Sequence, residues 1–87
     1  RRTRELAALL GVTPPEGAVL SVPMPTPVAA VAAARACAEA GVRVGCFRPP
    51  SVPDGISRLR VTANAGVSDD DWRRACEVIL TVVKEHR

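Results

Sequence analysis

Eight prolines fall within the first 53 residues of this 87-residue chain, and they decide where regular structure can run. Proline locks φ and has no N–H to give, so it stops a sheet ladder and is tolerated in a helix only at the first turn. Pro14-Pro15 with Glu16-Gly17 therefore reads as a loop, and Pro23 and Pro25 close the short apolar run Ala18–Val22, which suits a buried strand. Pro27 has the opposite meaning. With Thr26 before it as N-cap, it opens a helix at the first helical position. Pro49, Pro50 and Pro53 stiffen a second loop, in which Gly55 supplies the turn.

The remaining elements follow from periodicity. Arg1–Leu10 is expected to be a helix with a Leu6, Leu9, Leu10 stripe, ended by Gly11 as a left-handed cap. The helix from Pro27 runs through Val28, Val31, Ala34 and Ala38 to Gly41, with Arg35 and Glu39 on its wet face. Arg43–Arg48 is expected as a strand with Val44, Cys46 and Arg48 on one face. Arg58–Ala63 alternates cleanly, Leu59, Val61 and Ala63 one way and Arg58, Arg60 and Thr62 the other. Ser68 starts a last helix whose buried stripe is Trp72, Cys76, Ile79 and Val83 and whose exposed side carries Arg73, Arg74, Glu77 and Lys84. The order α-β-α-β-β-α predicts one α+β domain: a small, mostly antiparallel sheet with helices on one face.

Only Trp72 and Phe47 are aromatic, so the core is built from alanine and branched aliphatic side chains, and the domain is expected to lean on something larger. A net charge of +3, with acids interspersed among arginines and no aromatic–basic interleaving, argues against nucleic acid as a partner. No apolar run is long enough to span a membrane. Cys37, Cys46 and Cys76 form no Cys-x-x-Cys pair, and the lone histidine is His86, so no metal ligand set assembles. Free thiols suit a cytoplasmic setting. The chain opens Arg1-Arg2-Thr3-Arg4 without signal peptide or initiator methionine, which suggests a piece of a longer protein.

Chemistry concentrates in one stretch, Arg48-Pro-Pro-Ser-Val-Pro-Asp-Gly-Ile-Ser-Arg-Leu-Arg-Val-Thr62. Guanidinium matches a carboxylate or phosphate with two parallel hydrogen bonds. Arg58 and Arg60, on one strand face beside a rigid loop, are either an anion clamp or the coat of a solvated sheet. Asp69-Asp70-Asp71 follows a cap and suits the positive end of a helix dipole rather than a magnesium site. The cysteines have no interior histidine to activate them. Lys84, beside Glu85, reads as a surface charge.

That stretch closely resembles the C-terminal motif of the 8-amino-7-oxononanoate synthases, a branch of the α-oxoamine synthases, which are pyridoxal-phosphate enzymes of the aspartate aminotransferase fold. The residues that carry the resemblance are Arg48-Pro49-Pro50-Ser51-Val52-Pro53, Gly55 and Arg58-Leu59-Arg60-Val61-Thr62. It implies a C-terminal small domain over residues 1–87, with the large cofactor domain outside this chain, and a homodimeric whole enzyme. It also implies the family reaction, which condenses pimeloyl-CoA with L-alanine, releasing CoA and carbon dioxide, in biotin biosynthesis. By position, Arg60 corresponds to the arginine that grips the amino-acid carboxylate and Ser51 to a substrate-contacting hydroxyl residue, usually threonine. Arg48 and Arg58 are their neighbours, to which the resemblance assigns no role. Many relatives place a histidine shortly after the last strand, where this chain has Ala63-Asn64-Ala65-Gly66. The Schiff-base lysine and the other cofactor ligands have no counterpart here, so neither bound pyridoxal phosphate nor activity is expected of this chain alone. A sibling α-oxoamine synthase such as glycine C-acetyltransferase shares parts of the motif, and a free-standing anion-binding module is the alternative from a different class.

Overall fold

The computed structural model describes residues 2–15, 17–47, 55–63 and 66–87. In chain order these form α1 (Arg2–Leu10), β1 (Val19–Pro23), α2 (Pro27–Glu39), β2 (Gly45–Phe47), β3 (Arg58–Thr62) and α3 (Asp69–His86). The strands make one wholly antiparallel sheet, ordered β1-β3-β2, with Leu20 opposite Val61, Val22 opposite Leu59, and Cys46 opposite Leu59 on the other side. Pro23 is the last residue of β1 rather than its stop. A proline fits there because β1 is an edge strand.

Burial alternates along β1 and β3, as a sheet with one covered face requires. Leu20, Val22, Leu59 and Val61 face the helices and meet Leu6, Ala30, Ala33, Cys37, Ile79 and Val83 in one core. α3 contributes Trp72, Cys76, Ile79, Val82 and Val83. The helix ends follow local chemistry. Thr26 Oγ1 accepts from Ala29 N at 3.0 Å and Ser68 Oγ from Asp71 N at 3.1 Å, each satisfying an orphan N–H. Gly11 and Gly41 take positive φ of 71° and 83° just past α1 and α2.

One helix face differs from expectation. Leu9 is 64% exposed, and α1 buries Thr3, Leu6, Ala7 and Leu10 instead. Thr3 is admitted to the interior because its Oγ1 donates to Gly17 O at 2.8 Å. On α2 Arg35 and Glu39 are exposed as expected and Val28, 79% exposed, joins them, while Ala30, Ala33 and Cys37 face the core. Small side chains on the inner face let this helix sit close to both the sheet and α3. β2 is also shorter than expected, beginning at Gly45 rather than Arg43, and Arg48 lies outside the described residues.

Candidate functional site

The uncovered face of the sheet is built by the residues whose neighbours face the core. Val19, Ser21 and Pro23 of β1, Arg58, Arg60 and Thr62 of β3, and Gly45 and Phe47 of β2 fall on it by alternation and register. Arg60 stands in its middle, with Ser21 opposite on β1 and Gly45 opposite on β2.

The two arginines of this strand differ. Arg58 is half-buried, and its Nη1 donates to Ile56 O at 3.3 Å. Arg60 is exposed, and among the described residues its guanidinium meets no hydrogen-bond acceptor. Its contact is with an aromatic ring: Cζ lies 4.6 Å from the centroid of Phe47. That is cation–π distance. Phe47 is 38% exposed, so the ring stands at the surface beside the charge. Sequence reasoning missed Phe47 as a site residue. The signal was available, since setting Val44 and Cys46 on one side of β2 sets Phe47 on the other, with Arg60. Ser51, Arg48 and the proline loop lie outside the described residues, as do Asn64 and Ala65.

Such a face can hold an anion; among the described residues it carries the hydroxyls of Ser21 and Thr62 but no histidine, cysteine or carboxylate. Burial pushes the Cys37 thiol up, and at Cys76 burial leads, with Glu5 and Glu77 adding to it and Arg2 opposing. Among the described residues no group of His, Cys, Asp and Glu could hold a metal ion. The hollows lined by described residues include two beside the helices. One, of about 280 Å³, lies between α1 and α3 at Arg2, Leu6, Trp72 and Cys76; another, of about 430 Å³, lies by Gly41, Arg43 and Arg74. Arg2, which lines the first, is held by its own bonds: its Nη2 donates to Val67 O at 2.8 Å and to Asp69 Oδ1 at 2.9 Å. No helix among the described residues is long and apolar enough to cross a membrane.

The family model of aminotransferase class I and II matches residues 1–79. The chain belongs to that family. It is 51% identical over 87 residues to the 8-amino-7-oxononanoate synthase of Mycolicibacterium smegmatis, matching 99% of this chain and 23% of that protein. To the same-named protein of Mycolicibacterium gilvum it is 54% identical over 79 residues, 90% of this chain and 21% of that protein. Among solved structures, the serine palmitoyltransferase of Sphingomonas wittichii matches with a TM-score of 0.83 at 25% identity, over 98% of this chain and 23% of that one. The chain thus spans under a quarter of the length of these class I and II aminotransferase relatives. Its residues do not fit a pyridoxal-phosphate site of their own. The single lysine, Lys84, is exposed in the last turn of α3, on the helical side of a sheet whose opposite face carries Arg60.

Proposed function

We propose that this chain is the C-terminal small domain of an 8-amino-7-oxononanoate synthase and that Arg60 grips the carboxylate of the L-alanine substrate. The whole enzyme would condense that amino acid with pimeloyl-CoA, releasing CoA and carbon dioxide, as a homodimer. Pyridoxal phosphate and the groups that hold it belong to residues outside this chain. The observation that carries the site reading is the contrast between Arg58 and Arg60. The position that matches the family's carboxylate ligand is the arginine that the fold presents outward, with no acceptor for its donors among the described residues, while its neighbour spends one on Ile56 O. A strand at the centre of the sheet holds the Cα of Arg60 still, and fixing the carboxylate fixes how Cα of the substrate is presented. Ser51 is proposed as a second substrate contact.

Identity favours 8-amino-7-oxononanoate synthase over its siblings. The serine palmitoyltransferase likeness, at 25% identity, reflects the shared fold, whereas 51% and 54% identity extend across nearly the whole chain. The test uses the complete reading frame that contains this chain, with kcat/KM for L-alanine measured in Arg60→Ala, Arg60→Lys and Arg58→Ala and cofactor occupancy checked separately. Losing a buried charge-assisted pair costs about 2–5 kcal/mol, or roughly 30- to 5000-fold, and Arg60→Ala should fall in that range. Arg60→Lys should recover little, because an ammonium cannot reproduce the two-pronged geometry. Equal losses in Arg58→Ala and Arg60→Ala would show that the arginines only coat the sheet.

A further inference from the structure

We propose that Phe47 is the positioning residue for Arg60 and that Gly45 provides the clearance their contact needs; the proposal rests on Arg60 being the carboxylate ligand. In the β2–β3 register Gly45 pairs with Arg60 and Phe47 with Arg58, so Phe47 is the diagonal neighbour of Arg60 on the open face. The guanidinium carbon of Arg60 sits 4.6 Å from the Phe47 ring centroid. Both side chains close over Gly45. A Cβ at that position would stand 3.2 Å from Phe47 Cε2 and 3.3 Å from Arg60 Cβ, tighter than ordinary packing allows.

The contact is chemically suited to its task. An arginine stem is long, and gripping a ligand with it freezes several rotatable bonds. A ring that restrains the stem beforehand reduces the ordering still required when the ligand arrives. Attraction through the ring face also consumes no N–H, leaving all five guanidinium donors for a carboxylate. A hydrogen bond such as the one Arg58 makes to Ile56 O would restrain the arginine but subtract a donor. Phe47 is itself 38% exposed, so its ring is not a core side chain whose removal would collapse the domain.

The experiment is a double-mutant cycle in the complete reading frame, measuring KM for L-alanine and kcat, with melting temperature as a control on folding. Phe47→Leu keeps an apolar side chain and removes the ring's charge distribution. It is expected to raise KM about 3- to 30-fold with kcat nearly unchanged, the span of a cation–π contact acting on binding. Phe47→Tyr keeps the ring and should stay within about twofold of the parent. Gly45→Ala adds an atom under the pair and should move KM in the same direction as Phe47→Leu. In an Arg60→Ala background Phe47→Leu should have no further effect, because it acts through that arginine. A normal KM in Phe47→Leu, with Arg60→Ala severely impaired, overturns the proposal and leaves the carboxylate reading standing. A Phe47→Leu effect that persists undiminished in Arg60→Ala also overturns it. A near-normal KM in Arg60→Ala overturns both. Should Phe47→Leu fail to fold, Gly45→Ala and Phe47→Tyr decide the matter: parental KM in Gly45→Ala overturns the proposal, and a raised KM there with parental KM in Phe47→Tyr supports it.

Discussion

A thiol taken out of water resists becoming a thiolate, since the anion loses more solvation than the neutral group. Cys37 is fully buried and Cys76 nearly so, and burial raises both above the ordinary value of 9.0. Cys46, on β2, is half-buried. Alkylation of the native chain at about pH 8 should therefore mark Cys46 well before Cys37 or Cys76, with the difference lost in denaturant; mass spectrometry of peptides checks the order. Linkage adds a pH dependence. The folded state holds these two thiols neutral, so their contribution is fully present below the unfolded value near 9.0 and declines as pH rises toward the folded one. Denaturation midpoints at and above that pH, compared with a Cys37→Ala, Cys76→Ala double variant, should show a decline in the parent that the variant lacks. At this scale the sequence was informative about charge but not about company. Arg58 and Arg60 were legible as a pair on one face, while the features that separate them are a local bond from Arg58 to Ile56 O and the Phe47 ring, which the β2–β3 register sets beside Arg60.

Among the elements, β3 was legible because apolar and polar residues alternate without exception from Arg58 to Thr62. α3 was legible because its polar and apolar faces are both well populated, and its Ser68 cap was readable from residue type alone. α2 was not. It is apolar on nearly all sides, so periodicity could not say whether Val28 and Val31 or Ala30 and Ala33 turn inward; close packing on the sheet chose the smaller set. α1 was read on the wrong stripe: its buried face is Thr3, Leu6, Ala7 and Leu10, at i, i+3, i+4 and i+7, with the threonine satisfied by Gly17 O and Leu9 left outside. Leu6→Ala should then destabilise the fold by about 2–5 kcal/mol, as deletion of a buried leucine does, whereas Leu9→Ala should change it by less than about 0.5 kcal/mol. Ser68→Ala should cost about 1 kcal/mol by releasing the Asp71 N–H. Urea midpoints of the three variants test these values together, and equal losses at Leu6 and Leu9 would contradict the observed face of α1.

On the scale of the whole molecule, the sheet is a partition. Its covered side holds the core and α3, and its open side holds Arg60 and Phe47. Among the described residues, any ligand gripped by Arg60 is therefore backed by the sheet on one side, and the groups that act on it must approach from the other. The distribution of cations sharpens that division. Of the 12 lysines and arginines, Lys84 alone is a lysine, and it lies on α3, across the sheet from Arg60. Arginine stays protonated at any ordinary pH and cannot serve as the amine of a Schiff base, so eleven of these cations can bind anions but not attack carbonyls. Lys84 is exposed in the last turn of α3, away from the sheet face that carries Arg60. The 87-residue chain, mixed with an equimolar amount of pyridoxal phosphate at neutral pH and treated with borohydride, should keep its unmodified mass. The complete reading frame under the same treatment should gain the mass of one reduced cofactor at a lysine outside this chain. Stoichiometric labelling of Lys84 would show that the chain makes its own cofactor site, and the division of labour across the sheet would have to be abandoned.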